Sequence, residues 1–245
     1  MAVPVQESIA ATDSGGSVVG SIAAPKPTGL LSGELWLAKG VSDATASADH
    51  WAAAPSSPDA FTEIGEIVTS AADCSFFLIR RVADGTEAAT VTMSKDPGRS
   101  DTEMIGFSAR ISGINTTTPL DVLGTAADNG AGSDAILAAP SATTTQDDCL
   151  GFYVCASSNS DGAPFSVSGT GWSESAERAS GSGGAADVSA CWGTIDKATA
   201  GALGDATVTG STNARMVAAQ FAIAPAAAVG DTTNISSLGL MGVGI

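Results

Sequence analysis

Short apolar runs alternate along the chain with clusters of Gly, Asp, Asn, Ser and Thr. Candidate strands fall at 17–24, 33–41, 61–69, 74–83, 88–94, 103–112, 149–157, 164–169, 187–194, 206–209 and 215–224. Their lengths suit strands, and the polar clusters between them suit sheet connections. Alternation is cleanest in AATVTMS (88–94), where Ala89, Val91 and Met93 share one face and Thr90, Thr92 and Ser94 the other. RMVAAQFAIA (215–224) is almost continuously apolar, with Gln220 its polar interior member. That pattern predicts a strand covered on both faces. A buried helix is the competing reading, disfavoured by Pro225 and the Gly/Thr/Asn-rich sequence ahead of it. Asp84-Gly85 predicts a tight hairpin between 74–83 and 88–94, and Asp161-Gly162 a longer turn between 149–157 and 164–169. The best short-helix candidates are SADHWAAAP (47–55) and DKATAGAL (196–203), while 43–59, 123–145 and 171–186 read as loops or insertions.

Nothing in composition marks a second domain, so one β domain over 17–225 is expected, with an N-terminal arm at 1–16 and a C-terminal arm at 226–245. The last stretch, LGLMGVGI (238–245), is apolar, and a free apolar tail is unfavourable in water. It should dock on its own body or on a neighbour. Leu238, Leu240, Met241, Val243 and Ile245, with Val3 and Val5 near the other end, are therefore the candidate partner contacts.

The charge changes this picture. Lys and Arg number 10 against 26 Asp and Glu, a formal charge of −16, while charged residues make up only 15% of the chain. An average domain has roughly 25%, so the anionic excess reflects scarce bases rather than abundant acids. Such a chain is a poor binder of nucleic acid, where phosphate neutralisation supplies most of the affinity. No apolar run reaches the roughly 18 residues that span a bilayer. The first residues lack the basic head and apolar run of a secretory signal, so folding where the chain is made is expected.

Candidate chemistry is sparse. His50, the one histidine, lies among small residues ahead of Pro55 and Pro58 and reads as a loop residue rather than a catalytic one. Cys74, Cys149, Cys155 and Cys191 form no CxxC pair, and a zinc site is not expected. Buried free thiols are the first reading, and cross-strand pairing the second. Residues 128–134 place oxygen side chains around glycines but lack the order and distal Glu of a calcium loop. Asn115 and Asn234 fit a glycosylation sequon, which matters only on a secretory route. No phosphate-binding, dinucleotide or nucleophile-elbow motif occurs. Trp36, Trp172 and Trp192 sit in or beside strands and read as core anchors. A glycan-binding module using Trp51, Trp172 or Trp192 on exposed loops is the alternative from another class, and a hydrolase with paired carboxylates a third.

Several phrases share one order: SGELWLAKG (32–40), FFLIRRVADGTEAATVTMS (76–94), ISGINTTTPLDV (111–122), GWSESAERAS (171–180) and NARMVAAQFAIAPA (213–226). Together they resemble β-sandwich proteins from the structural modules of tailed bacteriophages, over roughly residues 29 to 226. ISGINTTTPLDV is the most specific stretch, although the tyrosine usual just ahead of it is missing in Ala109-Arg110-Ile111-Ser112-Gly113. The resemblance implies an all-β, jelly-roll-like antiparallel sandwich with extended terminal arms. It further implies a non-enzymatic virion component without cofactor or metal, assembled in the host cytoplasm. A capsid decoration or cement protein on the outer head surface is the expected role, with a tail or fibre component as runner-up. The implied partners are the major capsid protein and neighbouring copies of the chain as a homo-oligomer, with no nucleic acid and no membrane. In its own right TTTP is stiff: threonines favour extended backbone, and Pro119 biases Thr118 away from helix.

Overall fold

The fold comes from a computed structural model, which describes residues 2–43, 51–68, 74–97, 102–129, 134–158, 164–181 and 187–227. Every regular element among them is a strand. In chain order these are β1 (Val5–Asp13), β2 (Ser21–Pro25), β3 (Leu35–Asp43), β4 (Thr62–Val68), β5 (Cys74–Val82), β6 (Thr90–Ser94) and β7 (Met104–Ser112). There follow β8 (Leu120–Leu123), β9 (Ala127–Asp128), β10 (Asp134–Ala139), β11 (Thr143–Thr144), β12 (Cys149–Ser157) and β13 (Ser166–Ser168). The last are β14 (Ser173–Ala179), β15 (Ser189–Lys197), β16 (Gly201–Ala202), β17 (Ala206–Ala214) and β18 (Met216–Ile223).

Two antiparallel sheets form the centre. The first has the order β1-β7-β3-β5-β4, the second β14-β15-β12-β18-β8, with β9 also paired to β18. Between them lies one core: Leu35, Leu37, Phe76, Leu78, Phe107 and Ile111 from the first sheet meet Phe152, Val154, Trp192, Val217 and Phe221 from the second. This is the expected all-β antiparallel sandwich, built from strands that the alternating pattern predicts. Each sheet is also covered on its outer face. The β2–β6 pair lies over the first, enclosing Trp36, Phe77 and Met93 with Trp51 and Phe61. The β10-β17-β13 sheet lies over the second, enclosing Tyr153, Cys155, Cys191 and Met216 with Leu137, Val208 and Trp172. The result is four layers of strand. It explains why β12 and β18 are buried along their whole length and read as nearly continuous apolar runs.

The two sheets come from successive halves of the chain, and the halves share one topology. In the first, β3 lies between β5 and β7, β4 flanks β5, β1 flanks β7, and β2 pairs with β6 as the cover. In the second, β12 lies between β15 and β18, β14 flanks β15, β8 flanks β18, and β10 pairs with β17 as the cover. Chain order within each half is the same. Each main sheet therefore belongs to one half, which differs from a jelly roll, whose chain winds between its facing sheets.

The edges are blunted. Register shifts interrupt β1 between Gln6 and Ser8, β4 between Glu63 and Gly65, β14 between Glu174 and Ala176, and the β8–β18 ladder between Ala222 and Ile223. The inner ladders of β3 with β5 and β7, and of β12 with β15 and β18, run without a shift. A bulge twists an edge away from a further strand, which opposes edge-to-edge association.

Several expectations need correction. The segment taken as an N-terminal arm contains β1, which pairs with β7 along Val5–Asp13 and packs Ile9 on the core. Asp84-Gly85 does turn the chain, with Gly85 at φ 95°, but β5 and β6 are not hairpin partners. The chain leaves the sheet there so that Val91 and Met93 can cover its outer face. Residues 196–203 make no helix: β15 runs to Lys197 and β16 follows. Residues 47–50 of the other helix candidate, His50 included, lie outside the described residues. The stretches read as loops at 123–145 and 171–186 contain β10 and β14.

Candidate functional site

The two described chain ends and the connection between the halves meet at one pole of the sandwich. The connection is Gly113–Pro119, the centre of the ISGINTTTPLDV phrase. Asn115 shapes it, its side-chain oxygen accepting the N–H groups of Thr117 and Thr118, each at 3.0 Å. Thr116, Thr117 and Thr118 are exposed, whereas Pro119 is buried. The outgoing chain clamps this segment from the other side. Ala224 N–H donates to Pro119 O at 2.8 Å, Asn115 N–H to Ala224 O at 3.0 Å, and Ala226 N–H to Gly113 O at 2.8 Å. Leu120 and Val122 then return to pair with β18, as the extended character of TTTP predicts.

The incoming chain arrives at the same point. Gly113 has φ 69°, and a Cβ there would lie 2.2 Å from Val3 O, so only glycine admits this approach. Val3 and Val5 are 43% and 49% exposed, which places both sequence-predicted contacts on the surface of this pole. The other sequence-predicted contacts, Leu238, Leu240, Met241, Val243 and Ile245, lie outside the described residues. Leu31, 58% exposed, adds a third apolar side chain at this end of the first sheet. Its loop is held from beneath by Glu34, which accepts from Leu31 N–H at 2.7 Å and takes a two-pronged bond from Arg110 at 2.6 and 2.8 Å. The Arg110 guanidinium holds the Glu34 carboxyl below the ordinary carboxylate range, against the opposing effect of burial. The pole thus has a rigid polar base under exposed apolar side chains.

The tryptophans, the cysteines and Asn129 serve the fold. All four tryptophans are buried, so Trp51, Trp172 and Trp192 do not form exposed glycan platforms. Trp51 donates to Ser75 Oγ at 3.0 Å and stacks on Phe77, Trp172 donates to Gly204 O at 3.3 Å, and Trp192 lies between Phe107 and Phe152. These are the core anchors expected of Trp36, Trp172 and Trp192. The four cysteines are buried free thiols, the first of the two readings. Asn129, from the calcium-like segment, clamps the turn into β18: it donates to Ala214 O at 2.7 Å and accepts from Met216 N–H at 2.8 Å. Among the described residues no group of three or more His, Cys, Asp or Glu is placed to hold a metal ion.

Two buried polar features were not foreseen. Lys39 is fully buried between the sheets, donating to Cys155 O and Cys191 O at 2.9 Å each, with the Phe107 ring 5.0 Å from its Nζ. Desolvation pushes its pKa down to about 8. At the opposite pole Glu103 accepts from Ser180 Oγ at 2.8 Å and lies against Asp187; burial pushes the Glu103 carboxyl up. Arg178 pairs with Asp13 across the same seam. A shallow cavity of about 150 Å³ lies over β6, lined by Pro55, Pro58, Asp59, Phe61 and Thr92 among others. Its carboxylate is occupied, since Asp59 accepts from Ala88 N–H at 2.8 Å.

No protein-family model, curated protein or solved structure matches this chain.

Proposed function

We propose that this chain is a structural protein of a tailed-bacteriophage virion, most simply a capsid decoration protein on the outer face of the major capsid lattice. The observation that carries the reading is the pole at which Val3, Val5 and Leu31 stand exposed beside the Gly113–Pro119 connection, where the described chain also ends. The resemblance of the ordered phrases to phage structural proteins supplies the class. The blunted sheet edges favour contact through strand ends and loops over strand addition. Many modest contacts of this kind, repeated over a symmetric lattice, stabilise it by multivalency. A net charge of −16 keeps such particles mutually repulsive.

The test is particle binding. Substituting Val3→Asp, Val5→Asp and Leu31→Asp together should lower binding to capsids at least tenfold while the melting temperature stays put. Removing residues 236–245 should do likewise. Unchanged binding by both variants sinks the proposal. Copy number separates the two virion locations: hundreds per particle fit the head, a few dozen at most the tail or fibre.

A further inference from the structure

The second half of the sandwich holds two thiols face to face. Cys155 on β12 and Cys191 on β15 are direct partners in an unshifted antiparallel ladder. Both are fully buried in the outer core of the second sheet. Directly opposed residues of such a ladder have Cα atoms roughly 4.5–5.5 Å apart, inside the range a disulfide spans. Lys39 fixes the pair from behind, one ammonium holding the carbonyls of both cysteines.

We propose that Cys155 and Cys191 are a latent cross-strand disulfide site, closed when the chain folds in the presence of a small-molecule disulfide oxidant. One thiolate attacks a sulfur of the oxidant, releasing its first thiol and leaving a mixed disulfide. The second cysteine displaces the other half. Two protein S–H bonds are exchanged for one S–S bond, and the two electrons and two protons leave in the two thiols of the reduced oxidant. The chemistry belongs to the folding chain, because in the finished structure both thiols are sealed under β10, β17 and β13 and burial holds the Cys191 thiol far above its ordinary pKa. The other cysteines lack this arrangement. Cys149 stands opposite Lys197, and Cys74 lies on β5 in the core between the sheets, where its thiol donates to Ala156 O at 3.7 Å and Arg215 O at 3.6 Å.

The experiment is to unfold the full chain, refold it in an oxidised and reduced glutathione mixture, block remaining thiols, and map peptides without reductant. The expected result is a chain about 2 Da lighter before blocking, carrying two blocking groups instead of four afterwards, with one linked pair joining Cys155 to Cys191. The Cys155→Ala variant, refolded identically, should yield no link. The proposal fails if all four thiols remain alkylatable, or if the link recovered includes Cys74 or Cys149.

Discussion

The two halves of the sandwich follow the same path with different fillings. The central triplet Gly40, Phe77 and Gly106 of the first sheet occupies the place of Cys155, Cys191 and Ala218 in the second. Over the glycine the first half lays Trp51, so close that a Cβ on Gly40 would lie 2.7 Å from the indole. The second half puts two thiols there and covers them with a third strand, β13. One device is shared. The aromatic just before the edge strand, Phe61 ahead of β4 and Trp172 ahead of β14, packs edge-on against Trp36 and Tyr153 respectively, both at 79°. The difference teaches that the path depends on where strands and turns fall, while outer-layer volume can come from large side chains or from additional backbone.

The largest effect should come from breaking what the halves share. Trp192→Ala opens the core between the sheets and should cost about 4 kcal/mol in denaturant unfolding, loosening both halves together. Trp51→Ala should cost about 3 kcal/mol and should speed hydrogen exchange in β2 and β6 before the second half. Equal loosening of both halves by Trp51→Ala would contradict separate covers. Corresponding polar positions differ next. Gln220 joins β18 to its cover through Ala139 O, Gly204 O and Ala142 N–H, whereas Ser108 on β7 accepts one bond, from Trp36 Nε1 at 3.0 Å. Gln220→Leu should cost about 2–3 kcal/mol and Ser108→Ala about 1 kcal/mol, since the first removes the side-chain partner of three backbone groups.

These contrasts also explain what the sequence could and could not reveal. The central strands were legible because burial on both faces leaves long apolar runs, as in 149–157 and 215–224. β14 (SESAERA) was not, since an edge strand held by its backbone ladder needs only Ala176 to reach the core. β1 was hidden in the same way, with Ile9 its one contact with the core. Pairing was not legible at Asp84-Gly85, because a turn dipeptide specifies the turn and not which sheet the next strand joins. At the candidate site, Val3 and Val5 were legible as apolar residues of a terminal segment without enough core of its own. Leu31 did not, because its exposure depends on the Glu34–Arg110 pair from a distant strand. The repeat of topology left little trace, since Lys39, Leu78 and Phe107 stand where the second half has Val154, Trp192 and Ala219.

Lys39 sharpens the comparison because its counterpart is Val154. A base whose folded pKa is about 8, against an ordinary 10.5, binds fewer protons in the folded state between those values. Stability therefore rises with pH across that window, and below about pH 8 the full penalty of a buried charge is present. Lys39→Met should stabilise the protein at pH 7 by about 1–3 kcal/mol, less than the shift alone implies because two hydrogen bonds and a ring contact are lost. The gap between variant and parent should narrow from pH 8 toward 10.5. Groups common to both proteins cancel in the difference. A gap independent of pH would mean that the ammonium carries no penalty.

The smallest expected effect lies at the seam where Glu103, just before β7, meets Ser180 and Asp187 of the second half. The corresponding position before β18 is Arg215, a base in place of an acid. Burial raises the Glu103 carboxyl, and the Ser180 hydroxyl opposes that shift while Asp187 and Asp13 reinforce it. The folded state then keeps a proton that the unfolded chain has released, so this contribution is fully present below about pH 4.5 and is lost as pH rises through the folded pKa. Glu103→Gln keeps a donor toward Asp187 at every pH. It should match the parent near pH 4 and exceed it at pH 7 by less than about 1 kcal/mol, read from paired denaturant curves. A Gln variant that is weaker than the parent at pH 7 would show that the ionised Glu103 is held by its neighbours, and that the seam joins the halves through charge rather than through a shared proton.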